Sequence, residues 1–341
     1  MKLDNIFIAG IGTYLPERVT TADAVANGWY GAAEREAGRM ISVAVGGDVP
    51  APDMARFAAE EALKRSEHDP DDFDRLIHSI VHHQGPDGWS APHYILRHTV
   101  NRPIPALEVR HGCLGILSSM ELASAALLAR NGPGAALLTA ADNYGTPYLD
   151  RWRSGGVFLM ADGGSAVVLS SRGGFARLLA VGTLSDPEME QVHRGGEQLF
   201  PPGITQGVSL NLDRRMAYWR EQWAQGVTPP MSHAGDVVTE VVSRTLGEAG
   251  LTMADITRVA HPGVNWDLLK HGFLDPLGVS EEQGTWEFTR RLGHAGATDQ
   301  IAGLEHLLRS GEVGPGDHVL LLSKTSGMEA GAAVVRIEGA L

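Results

Sequence analysis

The sequence predicts a layered α/β fold built from two similar halves. Three observations predict it. Amphipathic helical stretches alternate with short, continuous apolar runs, the pattern of buried sheets covered by helices. The chain repeats three segments, at offsets of 183, 182 and 167 positions, in the same order in both halves. Its 341 residues are 43% apolar and 20% charged, enough for a large core and unlike a disordered chain.

The elements follow in chain order. Residues 30–56 are marked by Gly and Pro and read as loop-rich. The stretch AAEEALKRSEHDPDDFDRLIHSIV then reads as an amphipathic helix, a polar break and a strand. It matches VVSRTLGEAGLTMADITRVAHPGV: Leu63, Asp72 and Arg75 stand against Leu246, Asp255 and Arg258, each pair 183 positions apart. PALEV reads as a strand, and a long helix follows it. The turn Gly132-Pro133-Gly134 recurs as Gly314-Pro315-Gly316, and Gly164-Ser165-Ala166-Val167-Val168 resembles Gly331-Ala332-Ala333-Val334-Val335. The expected halves are 1–175 and 176–341. Within the second, 185–235 is irregular and reads as an insertion or cap. It has PPG at 201–203, TPP at 228–230 and the aromatic helix-like stretch LDRRMAYWREQW between them.

Composition narrows the function. A net charge of −13 argues against general nucleic-acid binding, which needs basic surface. One cysteine allows no intrachain disulfide and suggests a reducing compartment, so a cytoplasmic location is expected. The start MKLDNIFIAGIGTYLPERV does not read as a signal peptide, and no apolar run is long enough to span a membrane.

The lone cysteine, Cys113, sits in HGCLG between PALEV and the long helix. That puts the sulfur near a helix N-terminus, where unpaired N–H groups and the helix dipole favour negative charge. A lone cysteine is otherwise a small buried hydrophobe. The repeat gives Cys113 a counterpart: it lies 14 residues before Leu127, and His294 lies 13 before Leu307, the matching position. A pseudo-two-fold relation would bring those two helix starts together, with His261 on the loop after the other repeated strand. A nucleophilic cysteine needs such an imidazole. His78, His82, His83 and His111 read as structural. No metal site is expected, since structural zinc wants close Cys/His pairs. Gly10-Ile11-Gly12 lacks the third glycine of a dinucleotide loop, because position 15 is Leu.

These motifs, taken together, resemble the thiolase-like condensing enzymes, most closely the ketoacyl-ACP synthase III group. The resemblance runs nearly end to end through GIGTYLPERVTT, HGCLG, FLMADGGSAVVL, VAHPGVN, LGHAGATD and TSGMEAGAAVVRI. It implies two similar five-stranded halves stacked as α-β-α-β-α layers, usually in a homodimer. It implies an acyl group taken from acyl-CoA or an acyl carrier protein onto Cys113, with no permanently bound cofactor. CoA or a phosphopantetheine thioester is then a substrate. By the resemblance, His261 is the family histidine, and backbone N–H groups of Cys113 and the loop at Gly327 form an oxyanion hole. Trp89 falls near an acyl-pocket residue donated across the dimer. Trp29 and Asn265 match substrate-binding positions.

The departures shape the expected activity. His294 stands where the family has asparagine, and Asp299, five residues on, is placed to orient it. The basic stretch after Trp29 is replaced by AAEREAGRM, the spacing from His261 to Asn265 is one longer, and Asp267 stands where a phosphate-binding Arg is common. A second histidine suits a base that deprotonates an alcohol or amine. The expected function is therefore acyl transfer from Cys113 to a small-molecule acceptor, of the kind found in secondary metabolism. The alternatives are decarboxylative condensation with a malonyl thioester and a non-catalytic partner subunit. Arg214 and Arg215 are candidate contacts for a carrier protein.

Overall fold

The computed structural model describes residues 1–145, 147–153, 155, 157–227 and 234–341. The TPP at 228–230 lies outside these described residues. Eleven strands are present among them: β1 (Phe7–Tyr14), β2 (Arg18–Thr20), β3 (Ser42–Ala44), β4 (Phe73–Ile80), β5 (Ala106–Arg110), β6 (Ala135–Asp142), β7 (Gly163–Ser170), β8 (Ala176–Ser185), β9 (Arg258–Ala260), β10 (His318–Thr325) and β11 (Glu329–Ile337). β2 and β3 form a small ribbon, and the other nine form one mixed sheet in the order β5-β4-β6-β7-β1-β8-β11-β10-β9.

The order carries the repeat. In the first series β4-β6-β7-β1, β4 and β6 are parallel and the remaining pairs antiparallel. The second series β9-β10-β11-β8 has the same pattern. Only β5 lacks a counterpart, so the halves contribute five strands and four. They touch as strands through just two residue pairs, Phe7 with Arg177 and Ile8 with Ala176.

Burial shows the layers. Side chains alternate across each strand, so Leu137 and Leu138 belong to different cores. One outer core packs the helix Ala51–Ser66 on the first series, and another packs Ala234–Ala249 on the second. Between the series lies the core that holds Leu117, Met120 and Leu127 of the helix Gly115–Leu128, and Ile301, Leu304 and Leu307 of Asp299–Arg309. The helix Asp299–Arg309 is buried on nearly every side, as a central layer demands, and Gly115–Leu128 on all but the face of Leu122, Ala125 and Leu128. Gly10 and Gly12 find their use here: a Cβ on either would lie 2.2 or 2.3 Å from a backbone oxygen of the helix Ala51–Ser66. They permit close helix–strand packing rather than phosphate binding.

One local expectation changes, and the helix-like stretch LDRRMAYWREQW is found as a helix. Residues 30–56 are more regular than their composition suggests, with a helix Ala32–Gly38 and strand β3. The stretch 185–235 contains the helices Glu190–Arg194 and Leu212–Ala224, joined by a small core of Met189, Val192, Trp219 and Met328. Among the described residues no helix is long and apolar enough to cross a membrane.

Candidate active site

The two middle helices begin alike. The 3₁₀ turn Gly112–Leu114 leads into Gly115–Leu128, and the 3₁₀ turn Gly296–Thr298 leads into Asp299–Arg309. Cys113 sits in the first turn and His294 just before the second. Gly112 has φ +53°, and a Cβ there would meet the Thr325 hydroxyl at 2.1 Å, so the turn requires glycine. His111 anchors the turn through Ser118 Oγ at 2.7 Å and Glu329 at 2.8 Å. The Ser323 hydroxyl donates to the Cys113 carbonyl at 3.1 Å.

His294 is held on both backbone sides: its N–H donates to Leu159 O at 2.8 Å, and its carbonyl accepts from Ala161 N at 2.9 Å. Its Nε2 lies 2.9 Å from Cys113 Sγ. Its Nδ1 lies 2.6 Å from Asp299 Oδ2. Asp299 is fully buried, and its two oxygens also accept the N–H groups of Ala295 and Gly263, both at 2.8 Å. Phe158 stacks on the imidazole with ring centres 5.2 Å apart. Burial alone would lower the His294 pKa. The Cys113 sulfur and the Asp299 carboxylate outweigh it and hold the imidazole well above its usual value. The result is a sulfur–imidazole–carboxylate chain that can pass a proton between sulfur, ring and an incoming group.

The sulfur faces a cavity of about 410 Å³. Its walls include Tyr144, Phe158, Met160, Leu268 and Phe273, the strand-end residues Lys324 and Thr325, and His193, Leu212 and Arg215 from 185–235. Through those three residues the described part of that segment, 185–227, walls the cavity as a lid beside Cys113. Tyr144 Oη is buried with no hydrogen-bond partner among the described residues. Burial, Asp142 and Cys113 push its pKa well above 10, so it stays a donor. Tyr144, His193 and Lys324 were not expected as site residues. No local pattern marks them, because they enter the cavity from three separate segments.

His261 is a correction. Its Nδ1–H donates to Pro262 O at 3.0 Å, and its Nε2 accepts the Thr285 N–H at 3.0 Å. Both ring nitrogens are thus committed, the ring is fully buried, and it does not line the Cys113 cavity. Burial pushes its pKa down to about 4, so it is neutral. Its neighbours Pro262 and Val264 line the cavity instead.

The remaining expected residues are spread over three places. Gly327 lies in the β10–β11 turn with φ +86°; its flanks Ser326 and Met328 line the cavity, but it does not. Trp29 and Asn265 share a second cavity of about 570 Å³ with Tyr30, Arg151 and Trp152, divided from the first by Phe158. There Asn265 Oδ1 caps the helix Trp266–Leu269 by accepting from Leu268 N. Trp89 lies in a third cavity, beside Tyr94 and Tyr148, outside the Cys113 cavity of its own chain. Arg215 is a correction too. It lines the Cys113 cavity and pairs with Glu197 at 3.0 Å, so it does not present a free basic face to a carrier protein.

Comparison with known proteins agrees with this fold. Residues 107–187 match the family model described as 3-oxoacyl-[acyl-carrier-protein (ACP)] synthase III, and residues 246–337 match its C-terminal companion. The chain is 27% identical to the beta-ketoacyl-[acyl-carrier-protein] synthase III of Caulobacter vibrioides, covering 97% of this chain and 99% of that one. It is 25% identical to the acetoacetyl CoA synthase NphT7 of a Streptomyces species, covering 96% and 97%. Among solved structures, the acyltransferase ChlB3 is 44% identical over 98% of both chains, with a TM-score of 0.93. The 3-oxoacyl-[acyl-carrier-protein] synthase III of Aquifex aeolicus is 19% identical, with a TM-score of 0.77 over 97% and 99%, and shares the fold.

Proposed function

The chain belongs to the 3-oxoacyl-ACP synthase III family of thiolase-like enzymes, and from that premise we propose that it is an acyltransferase that loads an acyl group on Cys113 and passes it to a hydroxyl or amine of a small molecule. Enzymes of this family take CoA or carrier-protein thioesters as substrates and hold no permanent cofactor. The observation that carries the proposal is the chain Cys113–His294–Asp299, with contacts of 2.9 and 2.6 Å. The likeness to ChlB3 supports it.

In the first half-reaction, Sγ attacks the thioester carbonyl carbon and a new C–S bond forms. N–H groups at Cys113 and the Gly327 turn are the proposed donors to the oxyanion. Collapse breaks the donor C–S bond, and the departing sulfur takes the proton held on His294 Nε2. In the second, the now neutral Nε2 accepts the proton of the acceptor O–H or N–H as that atom attacks the acyl carbon. Collapse releases Sγ and leaves His294 protonated, as at the start. Asp299 keeps the ring oriented throughout and stabilises its charged form. Trp29 and Asn265 are proposed to guide the donor thioester along the second cavity. Trp89 is proposed to serve the acyl pocket of a second copy.

Decarboxylative condensation is the second reading, favoured by the synthase names of several relatives. Against it, His261 is bound to Pro262 and Thr285 instead of facing the cavity. The test is single-turnover transfer from pre-acylated protein, wild type against His294→Asn. An amide can donate to a carbonyl but cannot take a proton, so transfer should fall by about 10²–10⁴-fold. Unchanged transfer, or a ketoacyl product from wild type with a malonyl thioester, would overturn the proposal.

The proposed assembly is a homodimer. Among the described residues β5 pairs only with β4, leaving its other edge open, and Leu107 on it is 48% exposed.

A further inference from the structure

The Cys113 cavity is basic, and among the described residues its wall holds no carboxylate. Arg110, His193, Arg215 and Lys324 line it together with apolar and hydroxyl groups. Lys324 stands at the end of β10, directly before Thr325 and Ser326 of the wall. Its ammonium lies 4.9 Å over the Phe273 ring, and burial is the one influence resolved on it, with no charged partner among the described residues. That burial lowers its pKa to about 8, which leaves it mostly charged at neutral pH.

Two groups from the lid face the same region. His193 Nε2 and Arg215 Nε are buried with no hydrogen-bond partner among the described residues. Arg215 gives its Nη2 to Glu197. Burial, then the charges of Lys324 and Arg215, push the His193 pKa down to about 4. Gathering cations and unpaired donors in one desolvated place is costly unless a ligand supplies the opposite charge. An acyl group bonded to Sγ would occupy this cavity.

We propose that Lys324, with His193 and Arg215, receives an anionic oxygen on the acyl group carried by Cys113, so that the enzyme selects acyl thioesters bearing a carboxylate over neutral ones of similar size. This inference rests on the acyl-transfer reading and adds the class of acyl group. Lys324 is then the specificity-determining residue, and closure of the lid brings His193 and Arg215 to the same oxygen.

The experiment uses the full chain carrying Cys113→Ala, so that thioesters bind without reacting. Calorimetry compares succinyl- and glutaryl-pantetheine with pentanoyl- and hexanoyl-pantetheine. The charged thioesters should bind at least about tenfold more tightly, the scale of one charge-assisted hydrogen bond. Lys324→Met on that background should bring the ratio to near one, and Lys324→Arg should largely keep it. A ratio near one with Lys324 present, or a preference that Lys324→Met leaves intact, would overturn the proposal. A separate measurement follows acyl mass on Cys113 of the wild type with all four donors. Its complete absence would defeat the acyl-transfer reading, while the affinity ratio still decides whether the cavity selects anionic groups.

Discussion

Cys113 Sγ and His294 Nε2 lie 2.9 Å apart although 181 positions separate them in the chain. Each stands at the start of one of the two central helices, and the packing of those helices between the sheet halves brings the starts together. The Asp299 carboxylate behind the ring has a further task, because its oxygens accept two backbone N–H groups as well as His294 Nδ1.

Asp299→Asn tests that arrangement. The amide NH₂ must either face Nδ1 and the Gly263 N–H in the place of Oδ2 or oppose the Ala295 N–H in the place of Oδ1. Presenting NH₂ to Nδ1 moves the ring proton to Nε2, where it blocks acceptance of the acceptor's proton. Transfer from acyl-Cys113 should fall by about 10²–10⁴-fold. Single-turnover kinetics, read beside a thermal unfolding curve, separates this from misfolding. Transfer within threefold of wild type, from a folded variant, would remove Asp299 from the mechanism.

Tyr144→Phe keeps the ring and deletes a buried hydroxyl that has no partner among the described residues. An unsatisfied buried hydroxyl costs about 1–3 kcal/mol, so the variant should be as stable as wild type or more so. If the hydroxyl donates to the acyl group, loading of Cys113 should slow by about 10–100-fold, approaching the loss of an oxyanion donor. Intact-protein mass against time gives the rate. Unchanged loading would assign the hydroxyl no part in it.

The His261 ring makes stability fall in acid. Burial lowers its pKa from 6.5 to about 4, so between those values the unfolded chain binds a proton that the native chain does not. The contribution is complete above pH 6.5 and disappears as the pH falls through about 4. At about 1.4 kcal/mol per unit, it amounts to about 3 kcal/mol. His294 is raised, so its contribution has the opposite sign and is lost at higher pH. Urea unfolding at pH 6.5 and 4.5 should show a loss about 2–3 kcal/mol greater in wild type than in His261→Gln. Equal losses would show that His261 titrates normally.

Leu107→Asp tests the open edge of β5. If a second copy pairs there, a charge at this half-exposed position should turn dimer into monomer by light scattering, while the unfolding temperature of the dilute protein changes little. A dimer that survives the substitution would place the interface elsewhere.

Much of this was present in the sequence, because periodicity and repeat register are local properties of a chain. Helix–strand alternation gives the layers. The matching positions of Leu127 and Leu307 put Cys113 opposite His294, and the five-residue spacing from His294 puts Asp299 at the start of the same helix. The direction of the His261 ring was not legible. It depends on Pro262 O and on a Thr285 N–H that 24 positions separate from it, so a loop closing from elsewhere decides where the nitrogens point. Nor did any spacing join Lys324 to His193 and Arg215, or part Trp29 and Asn265 from the cysteine. Which side chains share a cavity follows from how the lid and strand ends pack in three dimensions. A chain encodes such contacts only through the whole fold, whereas it writes its helices, strands and repeated helix starts in short stretches of neighbours.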